Sequence, residues 1–142
     1  RVWDANFHAK YVVEMGRTTV RKGTGVLSSM RTITYYQVIL HPKLSGRGRT
    51  GREPFTTGTQ RVVTLWRRYS DFAWVRRLLA NNHPSILIPS LPKKSLQGFR
   101  RNPRSTFRLE RKAGLGEFLQ RVIDTQAFSK DKDVASFLTP ES

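Results

Sequence analysis

The sequence predicts an α+β domain, three strands followed by three helices, and three observations carry that reading. β-branched and aromatic runs fill the first half and stop at Trp66, helical apolar spacing begins at Ser70, and the two patterns never alternate. At 142 residues one domain is the natural count. Hydrophobic residues make up 37%, including three Trp, four Tyr and eight Phe, which is enough apolar material for one modest core. The domain is read as 1–142, with its core over about 11–138 and no internal repeat.

In chain order, Tyr11-Val12-Val13 lies in a short β-prone run, Ile33 to Leu40 is a clear second strand, and Arg61 to Trp66 repeats its composition. Antiparallel pairing of the last two is the simplest arrangement. Their connection, 43–60, is rich in Gly, Arg and Thr around Pro54. It exceeds the ~12 to 15 residues beyond which structureless loops become uncommon, so it reads as an exposed, mobile basic insertion. From Ser70, Phe72, Val75, Leu78 and Leu79 share a helical face, with Ser70 placed to cap the first turn. Asn81-Asn82-His83-Pro84 ends that helix. Ile86 to Pro92 follows as an apolar stretch whose prolines favour a polyproline conformation, a proline-rich turn. Its Ile86, Leu87, Ile88 and Leu91 look too apolar to be freely exposed. Beyond a Lys/Arg/Gly segment, Leu115, Phe118, Leu119 and Val122 set the spacing of a second helix, which tolerates Gly114 and Gly116 at about 1 kcal/mol each. A last short helix starts after Ser129 and buries Val134, Phe137 and Leu138.

Lys and Arg number 26 against 10 Asp and Glu, a formal net charge of +16, so the partner is expected to be anionic. No run reaches the ~18 apolar residues of a bilayer span, and Arg1-Val2-Trp3-Asp4 lacks the layout of a secretory signal. A soluble, cytoplasmic protein is expected. The absent Met at position 1 and the Thr139-Pro140-Glu141-Ser142 end suggest a piece of a longer product. Without cysteine there is neither a disulfide framework nor a thiolate zinc site, which fits a reducing compartment.

Enzyme motifs fare poorly. Gly46-Arg47-Gly48-Arg49-Thr50-Gly51 matches G-x-G-x-x-G, with Asp71 further on, but Arg52-Glu53-Pro54 follows instead of the helix that must hold a pyrophosphate. The plain reading is a Gly/Arg loop. His8, His41 and His83 form no H-x-x-x-H pair, and no G-x-S-x-G elbow is present. Glu110 and Glu117 read as solvated helix charge. No catalytic residue, metal or cofactor is expected.

The informative constellation is Trp66-Arg67-Arg68-Tyr69-Ser70-Asp71-Phe72, where a strand hands over to a helix. A helix start offers free N–H groups to a phosphate, Arg68 adds a planar bidentate donor, and Tyr69 offers a flat ring beside it. In isolation the pair reads more readily as a core Tyr69 with Arg68 snorkelling to water than as a phosphate site. A second oddity shifts that balance. Arg111 is spaced i, i+4, i+7 with Leu115 and Phe118, which places a guanidinium on the apolar stripe, where it needs an anionic or hydroxyl-bearing partner. Lys93 and Lys94 add cations after the proline turn. Beyond them Leu96 and Phe99, flanked by Arg100, Arg101 and Arg104, suit a membrane-dipping loop; the alternative is a basic linker whose two apolar residues pack locally.

Three ordered motifs together resemble the phox-homology (PX) domain. They are Arg67-Arg68-Tyr69-Ser70-Asp71-Phe72-Ala73-Trp74-Val75-Arg76, Pro89-Ser90-Leu91-Pro92-Lys93-Lys94, and Glu110 through Leu119. Within that family the chain looks most like the sorting nexins built from a single such domain. The resemblance implies a three-stranded antiparallel sheet packed on a helical subdomain, and binding of phosphatidylinositol 3-phosphate on endosomal membranes. By the same resemblance Arg68 grips the 3-phosphate and Tyr69 lies under the inositol. Ser70 adds a donor, Lys94 sits near the 1-phosphate, and Arg111 bonds the 4- and 5-hydroxyls. Two departures stand out. The 43–60 insertion, with Arg47, Arg49 and Arg52, is longer and more basic than the family leads one to expect, and Lys93 occupies a position commonly Gly, so Lys93 is a possible further phosphate contact.

The function so implied is a non-catalytic recruitment module, peripheral on endosomes and active in protein sorting, with coat or cargo proteins as further partners. A basic single-stranded nucleic-acid binder is the first rival, since Gly-Arg spacing and aromatics also suit RNA, although nucleic acid is not the expected partner. A protein-interaction domain offering Pro89 to Pro92 as a PxxP ligand is the second. No long heptad pattern argues for dimerisation, and a monomer is expected.

Overall fold

The computed structural model describes residues 11–22, 32–43, 61–93 and 103–140, with 103–106 by backbone alone. The elements run β1 (Tyr11–Lys22), β2 (Thr32–Pro42), β3 (Val63–Arg68), α1 (Tyr69–Asn82), α2 (Pro103–Asp124), α3 (Gln126–Ser129) and α4 (Lys132–Phe137). The strands form one antiparallel sheet in the order β1-β2-β3, with the helices packed against it, as the α+β reading expects. Four helices stand where three were predicted, because α3 is a single turn too short to show a period.

One face of the sheet builds the core. Tyr36, Val38 and Leu40 of β2 and Val63 and Leu65 of β3 meet Phe72, Val75 and Leu79 of α1 and the apolar stripe of α2. Val134, Phe137 and Leu138 are buried as predicted, and the Phe72 ring lies edge-on to Phe118 and Phe137 at centroid distances of 6.4 and 5.0 Å. These contacts seat α1 between the sheet and α4.

The start of α1 differs from the sequence reading. β3 stays paired with β2 through Arg68, opposite Tyr35, so Arg68 is the N-cap and Ser70 already lies inside the first turn, exposed. Capping falls instead to Asp71, whose carboxylate accepts the Arg68 backbone N–H at 2.9 Å. An acid three residues into the helix also suits its positive end.

β1 carries an irregularity that decides which side chains face outward. Met15 pairs with Val38 and Thr18 with Tyr36, so three steps on β1 oppose two on β2. One extra residue reverses the alternation of everything after it. Gly16 makes room for this bulge, since a Cβ there would collide with the Gln37 side chain, whose Oε1 accepts the Arg17 N–H at 3.0 Å.

The proline-rich stretch is tied to α1 by Arg76 Nε donating to Pro89 O at 2.9 Å and by Tyr69 Oη donating to Pro92 O at 2.6 Å. Gly114 of α2 lets Pro92 approach, as a Cβ there would lie 3.0 Å from the proline ring. The expectation that this stretch hides its apolar residues holds only for Ile88 and Leu91, which pack on the core. Leu87 is 94% exposed and Ile86 is exposed as well. The reason is geometric: Ile86 N–H closes a turn onto His83 O at 3.1 Å, and the extended chain leaving that turn can aim only some of its side chains inward.

Asp131 joins the two ends of the helical layer. Its carboxylate caps α4 by accepting the Asp133 N–H at 2.7 Å, accepts Asn82 Nδ2 at 3.1 Å, and bonds His83 Nε2 at 2.8 Å. Burial pushes its pKa up, but the hydrogen bonds from Asn82, Asp133 and His83 and the attraction of His83 outweigh this and hold it below the ordinary value. A depressed carboxylate contributes stability that is full above its unfolded pKa of about 3.9 and is lost as pH falls through the folded value. Asp131→Asn should therefore lower the denaturation midpoint at pH 7, with the gap to wild type closing progressively below about pH 4.

Candidate functional site

Strand alternation sorts the arginine pair of β3. Val63, Leu65 and Arg67 point inward, whereas Thr64, Trp66 and Arg68 face solvent. Arg68 thus ends the strand and opens α1 with its side chain 47% exposed, its Nε 3.8 Å from the Asp71 carboxylate. It lines a cavity of about 400 Å³ with Thr19, Arg21, Tyr35, Trp66 and Asp71, on the outer face of the sheet.

Tyr69 turns the other way. It is partly buried against the core, and the bond from its hydroxyl to Pro92 O fixes the ring beside the proline turn. Arg111 stacks on it, the guanidinium carbon 4.6 Å from the Tyr69 ring centre and 4.7 Å from that of Phe107. A second bond runs from Arg111 Nη2 to Lys93 O at 3.1 Å. The guanidinium on the apolar stripe is therefore accommodated by two π faces and a carbonyl, each suited to a cation. Arg111 lines its own cavity of about 320 Å³ with Pro92, Lys93, Phe107 and Glu110.

Motifs spread over more than forty residues of the chain thus converge: Tyr69, Pro92 to Lys93, and Arg111 are in direct contact, with Arg68 and Ser70 flanking Tyr69 at the helix start. Arg68 and Arg111 line different cavities. The Lys93 side chain is exposed. Lys94, Leu96 and Phe99 lie outside the described residues, as do 44–60 with Arg47, Arg49 and Arg52, and as does the Gly/Arg loop. Of that insertion, Lys43 is described and lies 3.8 Å from the Asp124 carboxylate.

The sequence reading missed Phe107, although it precedes Arg111 by four residues, the spacing that puts two side chains on one helix face. It also missed Thr19, Arg21 and Tyr35 of the outer-face cavity. Their grouping depends on strand register, which composition does not reveal. His83 and His41 bond Asp131 and Glu14 respectively, at 2.8 and 2.7 Å. Among the described residues no group of three or more His, Cys, Asp or Glu is placed to hold a metal ion, and no helix is long and apolar enough to cross a membrane.

A three-stranded antiparallel sheet handing directly into a helix, with an Arg-Tyr junction pinned to a proline turn, defines the class of the domain. The model of the family described as PX domain matches residues 55–141. Sorting nexin-4 of Eremothecium gossypii is 30% identical over 118 residues, covering 83% of this chain and 27% of that protein. Sorting nexin MVP1 of Candida albicans is 39% identical over 84 residues, covering 59% and 11%. The chain therefore spans under a third of the length of either relative. Among solved structures, a designed CISK-PX domain superposes with a TM-score of 0.60 at 25% identity, over 89% of this chain and 96% of that one.

The chain belongs to the PX domain family, and its relatives include the PX domains of sorting nexins. PX domains are non-catalytic lipid-binding modules, and membership points to a phosphoinositide-binding role in membrane recruitment.

Proposed function

We propose that this domain recruits its protein to endosomal membranes, in protein sorting, by binding phosphatidylinositol 3-phosphate. The observation that carries the reading is the stack of Arg111 on Tyr69, whose hydroxyl in turn holds the proline turn at Pro92. In this reading Arg68 grips the 3-phosphate with a planar, charge-assisted fork, and Ser70 adds a donor from the first turn of α1. Tyr69 lies under the inositol, Arg111 bonds the 4- and 5-hydroxyls, and Lys94 meets the 1-phosphate, with Lys93 as a further contact. Leu96 and Phe99 enter the bilayer, while the basic surface adds a salt-sensitive attraction of about 1 kcal/mol per residue close to an anionic leaflet. Coat or cargo proteins of the sorting machinery are the further partners, and the domain acts as a monomer in a single unit, 1–142.

Sedimentation with liposomes containing the 3-phosphate, the 4-phosphate, the 4,5-bisphosphate or phosphatidylserine alone, at two salt concentrations, tests this. The wild type should prefer the 3-phosphate at both. Equal binding to every anionic liposome, lost in salt, would overturn the reading and direct attention to RNA, for which a steep salt slope is the signature. Leu96→Ala with Phe99→Ala should weaken binding without changing the preferred headgroup, since burying each in lipid contributes up to about 1.5 to 3 kcal/mol whatever the headgroup.

A further inference from the structure

The cavity beside Arg68 contains a second guanidinium. Arg21 lines it from β1, across the sheet, with its guanidinium carbon 5.5 Å from the centre of the Tyr35 ring. Register explains the placement. Thr19 pairs with Tyr35, and Tyr35 with Arg68, so the three form one row on the outer face, and Arg21 follows Thr19 two residues along that same face. Only the bulge between Met15 and Thr18 puts it there; with uninterrupted alternation Arg21 would share the helix-facing side of Tyr11, Val13 and Met15.

Charge decides what this cavity can take. Arg68 alone is matched by the Asp71 carboxylate 3.8 Å away, and a pocket of that pair alone has no net attraction for an anion. Arg21 adds a positive charge that no carboxylate pairs with among the described residues. β1 and β3 lie two sheet spacings apart, about 10 Å, a gap that two extended arginines can close around one phosphate. Stacking on Tyr35 holds the Arg21 side chain ready, and Thr19 contributes a hydroxyl to the same wall.

We propose that Arg21 is a second phosphate-binding residue, gripping the phosphomonoester of the headgroup jointly with Arg68. This rests on the phosphoinositide reading above and assigns the phosphate to the outer-face cavity. Two planar forks approaching one phosphate from opposite strands select a terminal phosphomonoester, with several free oxygens, over the singly charged diester of an ordinary phospholipid.

The test is sedimentation of the same chain carrying Arg21→Gln, Arg21→Lys or Lys22→Gln, each first shown by thermal unfolding to fold as wild type. Lys22→Gln removes an equal charge from the next position, whose side chain points to the other face. Arg21→Gln should lower affinity for 3-phosphate liposomes about tenfold or more, the scale of a lost charge-assisted bond, and weaken phosphatidylserine binding no more than Lys22→Gln does. Arg21→Lys should restore phosphatidylserine binding but not the headgroup preference. If Arg21→Gln matches Lys22→Gln on every liposome, the inference is wrong and the proposed lipid specificity stands. If the wild type itself shows no preference, that specificity is what fails, and the inference fails with it.

Discussion

Arg68→Ala should fold as the wild type and still sediment with phosphatidylserine liposomes, while its preference for the 3-phosphorylated lipid disappears. The fold is expected to survive because the backbone of Arg68, not its side chain, is what the helix uses. Its N–H bonds Asp71, and the side chain makes no capping bond. Among the described residues the only ion pair lost is half exposed, with a nitrogen to oxygen distance of 3.8 Å. Such surface pairs contribute about 0 to 1 kcal/mol. Binding is a different matter. A hydrogen bond to a charged group contributes about 1.5 to 3 kcal/mol, so affinity for the 3-phosphate liposome should fall by roughly ten- to a hundredfold. Phosphatidylserine binding, which draws on the net charge of +16, should change little. A parallel loss across all anionic lipids would place specificity elsewhere. Arg68→Lys separates charge from geometry: an ammonium keeps the attraction but lacks the fork, so it should recover only part of the preference.

How far this site is legible in the sequence depends on the length scale of each interaction. The Arg68-Tyr69 junction is local, and the change of period from two to 3.6 marks it within a residue or two. The misfit of Arg111 is also readable, because i, i+4, i+7 spacing assigns it to the apolar stripe whatever it packs against. What the spacing cannot supply is the partner, and the rings of Tyr69 and Phe107 emerge only from packing. Ser70 shows the limit at a boundary. It is the better capping residue by type, yet β2 holds β3 in register through Arg68 and leaves Asp71 to do the capping. Arg21 is the furthest out of reach: its face is set by one extra residue in β1, and Gly16 inside the strand hints at a bulge without telling which residues it turns outward. Leu87 errs in the opposite direction, since hydrophobicity argued for burial and the turn at His83 to Ile86 exposes it.

Arg67, beside Arg68 and identical in chemistry, should give the opposite phenotype: Arg67→Met is expected to destabilise the fold by about 3 kcal/mol while leaving headgroup preference intact in whatever fraction remains folded. One step along β3 turns its side chain to the inner face, where it is only 8% exposed. There Nε donates to Phe137 O at 3.0 Å, Nη2 to Thr139 O at 2.7 Å, and Nη1 to Trp66 O at 2.8 Å. The guanidinium also stands 5.5 Å from the Phe137 ring centre. Two of these carbonyls, Phe137 O and Thr139 O, stand at and just beyond the last residue of α4, where the helix presents its negative end to a cation. Methionine fills much of the same volume but donates nothing, so two or three carbonyls lose their partner at about 1 to 3 kcal/mol for each that water cannot reach. Lysine is no remedy, because a single ammonium cannot match the three directions of the planar fork. Denaturant titration should show a lower midpoint with an unchanged slope for both Arg67→Met and Arg67→Lys. A wild-type midpoint in Arg67→Met would mean that α4 stays docked through Val134, Phe137 and Leu138 without the guanidinium, with the carbonyls turning to solvent.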